Sequence, residues 1–134
     1  MRNIRVAIDF DGTFAAYPEE LTALLRQWRA EGDVWPILHT GRAEDRLEAV
    51  RLFVANRLQG FVIEFLHWPG MPQTIPQWKA TIEADVFIDD EMANIEAWRA
   101  AHPLGLSLWV ASSPTHFTPV ALAFVLLPGH LPIT

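Results

Sequence analysis

Short apolar runs alternate with longer amphipathic ones along this chain. Ile4 to Asp9 and Val34 to Thr40 are nearly continuous apolar stretches, and each precedes a segment with helical spacing of its apolar positions, roughly Glu19 to Glu31 and roughly Ala43 to Gln59. Phe61 to His67 reads as a third strand, Asp85 to Asp89 as a fourth, Ile95 to Ala101 as part of a helix, and Leu106 to Val110 as a fifth strand. Alternation of this kind predicts an α/β fold: a three-layer, Rossmann-like parallel sheet whose strands are joined by right-handed crossovers, with helices on both faces. The intervening HWPGMPQTIPQW, His67 to Trp78, holds three prolines and is expected to be a loop.

A length of 134 residues suits one domain, expected to span residues 1–134, and leaves no room for two. With 51% hydrophobic and only 19% charged residues, the composition excludes a disordered chain. There is no cysteine, so disulfides, zinc thiolates and thiol nucleophiles are out; the five histidines lie too far apart for local ligand spacing. Metal chemistry is therefore expected to use oxygen ligands. A net charge of -6 argues against general nucleic-acid binding, which depends on Lys and Arg neutralising phosphates. The first residues lack a secretory apolar stretch and the longest apolar run, Val120 to Leu127, is far too short to span a membrane, so a soluble, cytoplasmic protein is expected.

In open parallel sheets, ligands bind beyond the carboxyl ends of the strands. Here those ends are polar: Asp9 with Asp11 beyond it, then Thr40, Gly41 and Arg42, then Asp89 and Asp90. Two acids after a buried strand are costly unless they serve a site. The chemistry they suit is phosphoryl transfer through a covalent aspartyl phosphate, with Asp9 as nucleophile. Carboxylates repel a phosphate unless a cation intervenes, and Mg²⁺ prefers a few carboxylate or carbonyl oxygens while keeping several waters; Asp9 and Asp89 can supply them. Asp11, on the same side as Asp9 if the backbone stays extended, can protonate the leaving oxygen and then deprotonate the attacking water. Gly12 lets the chain turn away. The Thr40 hydroxyl and the free amides from Gly41 onward offer donors to phosphoryl oxygens, and Lys79, the only lysine, can neutralise the remaining charge.

IDFDGTF, HTGR, a downstream Lys79 and VFIDDE, in that order from Ile8 to about Glu91, resemble the four motifs of the haloacid dehalogenase superfamily. The resemblance implies a Rossmann-like sheet, Mg²⁺ dependence, Asp9 as nucleophile, and Asp11 as acid/base that also gives a backbone carbonyl to the metal. It further implies Thr40 and Lys79 as phosphate ligands, Asp89 as metal ligand, and Asp90 as support for the metal shell. Dehalogenating members typically lack the second acid of the first motif, so Asp11 favours phosphatase or phosphotransferase chemistry.

Plainer roles stand beside these. Asp89 and Asp90 would suit the start of the following helix, Thr40 an N-cap, and Lys79, six residues before Asp85, a solvated surface. Arg42 would help bind phosphate or, more simply, face solvent from a helix's first turn, and His39, inside an apolar strand, is expected to be a hydrogen-bonded structural residue. The spacing of the motifs leaves no room for an inserted cap, so the site is expected to be open, admitting a small phosphorylated molecule or the accessible phosphorylated end of a larger one. Trp68 and Trp78 flank the loop and would stack on a base or sugar or, more simply, cover the core. Two other classes compete with a phosphatase. A phosphoacceptor signalling domain would need its acceptor Asp at the end of the third strand, where FLHWPG has none; a non-catalytic binding protein would keep the pocket without turnover. Finally, FTPVALAFVLLPGHLPIT is too apolar for a solvated tail, and is expected to pack on its own sheet or to contribute to a homodimer.

Overall fold

The computed structural model describes residues 3–110. Strand β1 (Asn3–Asp9) is followed by a tight turn and helix α1 (Pro18–Arg29), then β2 (Asp33–Thr40), α2 (Leu47–Arg57), β3 (Glu64–His67), α3 (Ile75–Lys79), β4 (Val86–Asp89), α4 (Met92–Ala101) and β5 (Leu106–Trp109). The strands pair in the order β3-β2-β1-β4-β5, and every neighbouring pair is parallel. This is the Rossmann-like α/β sheet that the alternating pattern predicts. No helix among the described residues is long and apolar enough to cross a membrane. The apolar segment beyond Ser113, with its expected packing or homodimer role, lies outside the described residues.

Period-2 alternation within the strands divides the core. Ile4, Val6 and Ile8 of β1 face the side covered by α1 and α2, where they meet Leu21, Leu25 and Trp28. Ala7, Ile37 and Phe87 face the other side, under Ile95 and Trp98 of α4. α1 suits its place: Pro18 opens it, Glu19 and Glu20 complement its amino end, Arg26 and Arg29 its carboxyl end, and Leu21, Leu24, Leu25 and Trp28 recur at helical spacing. Each such buried side chain contributes about 1.5–3 kcal/mol.

Two expectations need correction. The third strand begins at Glu64 rather than Phe61, opposite Ile37. Pro36, which has no N–H to donate, lies in the stretch of β2 that β3 does not flank. The supposed loop from His67 to Trp78 also ends in α3. Thr74 and Gln77 form a reciprocal capping box, with Gln77 N donating to Thr74 Oγ1 and Thr74 N to Gln77 Oε1. Pro76 sits in the first turn, where its missing N–H breaks no helical bond.

Candidate functional site

The chain fills the sheet leftward from β1 through β2 to β3 and then crosses to β4 on the other side of β1, so the order reverses between β1 and β4. That reversal opens a crevice at the carboxyl ends of these two strands. Ile8 pairs with Ile88, which places Asp9 and Asp89 side by side at the next position, both buried.

Lys79 closes the pair. Placed at the end of α3 by the Thr74 cap, it donates from Nζ to Asp9 Oδ1 at 2.8 Å and to Asp89 Oδ2 at 2.7 Å, and is itself only 2% exposed. The solvated-surface alternative is thereby excluded. Asp89 Oδ1 accepts from the backbone N of Glu91 at 2.9 Å, and Asn94 Nδ2 lies 3.3 Å from both Asp89 oxygens. Thr13 Oγ1 donates to Asp9 Oδ2 at 3.1 Å and lies 3.3 Å from Asp90 Oδ1. Gly12 makes this turn possible: its φ is +77°, and a Cβ there would strike the Asp90 carboxylate.

Burial, and after it repulsion from Asp89, pushes the Asp9 carboxyl up to about 8, against the pull of Lys79. Asp89 is raised by burial, again against Lys79. Burial alone would lower the Lys79 ammonium, but attraction to Asp9 and Asp89 outweighs it and the pKa is raised. One ammonium thus serves two desolvated acids, and once both are ionised a surplus of negative charge is left that a further cation would offset.

His39 lies opposite Asp9 on β2. Its ring is fully buried and stacked on Phe87 at 5.1 Å and 9°, and neither ring nitrogen has a hydrogen-bond partner. The expected hydrogen-bonded role is therefore not what the structure places there. Burial first, and then Lys79, drives its pKa well below the usual value, so the imidazole is neutral; the Ala7 backbone opposes this without reaching hydrogen-bond geometry. A ring nitrogen of His39 and one oxygen each of Asp9 and Asp89 lie within 4.8 Å of one another, a buried group that could hold a metal ion.

Asp11 stands on the rim. Its carboxylate accepts from Arg42 Nη2 at 2.7 Å and Nε at 3.0 Å, and the Thr40 hydroxyl donates to it at 3.4 Å. That hydroxyl also accepts from Arg42 N at 3.1 Å, so Thr40 organises the turn after β2. Arg42 is not simply solvent-facing. The hydrogen bond to Asp11 holds its pKa above the usual value. An open cleft of about 510 Å³ runs over these groups and is lined by Asp9, Asp11, Gly41, Arg42, Lys79 and Asp90 among others, whereas Thr40 is buried and does not line it. Trp78 is buried as core cover, and the Trp68 indole N–H donates to Gln73 O at 2.8 Å, tying the loop to itself.

The sequence reading missed Thr13, Asn94 and the buried, unpartnered ring nitrogens of His39. Thr13 had a signal, since it directly follows the D-x-D-G turn; Asn94 had one only in its position within the first turn after Asp89. Comparison of the chain with profiles of known protein families, with curated proteins and with solved structures finds no match.

Proposed function

We propose that this chain is a divalent-cation-dependent phosphomonoester hydrolase of the haloacid dehalogenase type, working through an aspartyl phosphate on Asp9. The observation that carries the reading is the buried pair of strand-end carboxylates, Asp9 and Asp89, sharing Lys79 at the point where the strand order reverses, with Asp11 above them on an open cleft.

In this reading Asp9 attacks phosphorus, the bond to the leaving oxygen breaks, and Asp11 gives that oxygen a proton. Water then attacks the phosphorus of the acyl phosphate, Asp11 takes the water's proton, and Asp9 returns as a carboxylate while inorganic phosphate leaves. Thr13 and Lys79 fix the orientation of the nucleophile. Lys79 and the Gly41 backbone line the cleft where phosphoryl oxygens would lie. A substrate phosphate that draws Arg42 to itself would release Asp11 for proton transfer. Mg²⁺ held by Asp9 and Asp89, with Asp90 in support, would supply the positive charge that offsets repulsion between carboxylates and phosphate.

The cleft has no cover among the described residues, and a second hollow of about 350 Å³, lined by Gly41, His67 and Trp68 among others, adjoins it through Gly41. This supports a phosphorylated small molecule or an accessible phosphorylated end as substrate. The test is turnover of a broad set of phosphomonoesters with Mg²⁺, including an aryl phosphate, nucleotides, sugar phosphates and phosphorylated oligonucleotide ends. Release of phosphate, with a phosphoprotein trapped by acid quench, supports the proposal; folded, metal-supplied protein that turns over none of them overturns it in favour of a non-catalytic binding role.

A further inference from the structure

We propose that the hollow beside the cleft holds the organic part of the substrate, and that this part is an uncharged sugar ring with vicinal hydroxyls. The inference rests on the phosphomonoester reading above and adds to it the chemical class of the leaving group.

The hollow of about 350 Å³ is walled by Gly41, Glu44, His67, Trp68 and Gly70 among others, and Gly41 also walls the cleft over Asp9 and Lys79. A phosphate seated in the cleft therefore has space beside it for whatever its ester oxygen carries. Small-molecule sites begin at about 300 Å³, so the space suits a single ring. Its walls are set by the fold. β3 brings His67 opposite Thr40, and Trp68 N donates to Thr40 O at 3.0 Å. The indole N–H of Trp68 is already committed to Gln73 O at 2.8 Å, so the ring offers a ligand only its apolar surface. That surface matches the C–H face of a sugar.

The polar groups of the hollow share one character. His67 Nδ1 lies 3.2 Å from Trp68 O, and because a carbonyl only accepts, the ring proton sits on Nδ1 and leaves Nε2 of the neutral imidazole as an acceptor. Glu44 is exposed at the start of the short turn that precedes α2, and its carboxylate has no partner among the described residues. Two acceptors call for two donors, and a pair of neighbouring hydroxyls supplies them, the bond to Glu44 being strengthened by its charge. A ligand carrying a second phosphate or a carboxylate into the hollow would meet Glu44 as a like charge and be rejected.

The experiment is titration calorimetry, with Mg²⁺ present, of the full chain carrying Asp9→Asn, which should hold an ester without turning it over. Methyl phosphate is the reference ligand. Ribose 5-phosphate and adenosine 5′-monophosphate present the hydroxyls on a free sugar and on a nucleotide, and 2-deoxyribose 5-phosphate and 2′,3′-dideoxyadenosine 5′-monophosphate are their hydroxyl-poor counterparts. We expect at least one hydroxyl-bearing ester to bind at least about tenfold tighter than both methyl phosphate and its own counterpart, the scale of one charged hydrogen bond. The tighter of the two tells which source the ring comes from. Adding Glu44→Ala, at an exposed position, should cut that preference at least about fivefold. Equal binding of all five esters, or a preference that survives Glu44→Ala undiminished, overturns the inference. Turnover by the wild type is measured separately: ring preference without turnover overturns the hydrolase alone, turnover without ring preference overturns this inference alone, and a chain that binds none of the esters overturns both.

Discussion

Arg42 grips Asp11 with both sides of its guanidinium, Nη2 to Oδ1 at 2.7 Å and Nε to Oδ2 at 3.0 Å. The pair joins the turn after β1 to the turn after β2, and the guanidinium lies 5.2 Å from the centre of the Phe10 ring. A fork already set for two carboxylate oxygens is equally matched to two phosphoryl oxygens. Arg42→Ala should therefore lower kcat/KM for a phosphomonoester at least about tenfold, the scale of one charged hydrogen bond. The fold should hardly notice. With side chains 36% and 53% exposed, the ion pair contributes at most about 1 kcal/mol. Steady-state kinetics and a thermal melt on the same preparation separate the two effects, and an unchanged kcat/KM removes Arg42 from substrate binding.

Asp9→Asn keeps the shape of the nucleophile and removes its charge. Turnover should fall on the order of a thousandfold or more, and no phosphoprotein should form. Metal-free Asp9→Asn should melt no lower than the wild type, because the substitution relieves the repulsion from Asp89 while Lys79 keeps its contact with Asp89. Acid-quench labelling and calorimetry check the two halves; residual labelling at wild-type level would move the nucleophile elsewhere.

Stability in the absence of metal should fall as pH rises. Asp9 titrates near its ordinary 3.8 when unfolded and at about 8 when folded, so between those values the folded chain binds a proton that the unfolded chain has released. The stability linked to that proton is fully present below about 4 and is lost as pH climbs to about 8. Asp89, also raised, adds in the same direction. Melts at several pH values in chelator should show this decline, and a saturating divalent ion should flatten it. A metal-free protein that grows more stable from pH 5 to 8 would contradict the charge surplus.

Thr74→Ala removes the cap that sets α3, and should cost about 1 kcal/mol of stability. Because α3 carries Lys79 to the carboxylates, activity should fall along with stability. Thr74→Ser, which keeps the hydroxyl, should restore both. Denaturant titration and kinetics on the two variants check this, and full activity in Thr74→Ala would mean that Lys79 is held independently of the cap.

The sheet was legible because each strand announces itself locally: VAID, ILHT and VFID are apolar runs ending in polar residues, and their ends had to converge once the strands were parallel. The D-x-D-G turn was legible for a similar reason, since only glycine adopts the φ of Gly12 without strain. α3 was not, because the three prolines between His67 and Trp78 outweighed the T-I-P-Q capping signature of a five-residue helix. The open nitrogens of His39 could not be read from the sequence at all. Whether a buried imidazole finds a partner depends on what the neighbouring strand and helices bring, and here they bring the Phe87 ring, the Lys79 ammonium and an Ala7 backbone that falls short of hydrogen-bond geometry.

The position of β1 also governs how the protein comes into being. The middle strand of the sheet is made before the other four, yet its second neighbour arrives late: Arg5 N bonds to Asp85 Oδ2 across 80 positions, and Lys79 reaches Asp9 across 70. β1 can pair with β2 soon after both leave the ribosome, but one flank then stays bare until β4 emerges. Closing so long a loop before any contact rewards it is slow. During that interval Asp9 stands hydrated at an open edge without Lys79, and the nascent chain presents an apolar strand to whatever else is unfolded nearby. The burial of the two acids is therefore confined to the final docking of β4, and a chain stalled before Val86 is the form most prone to aggregate.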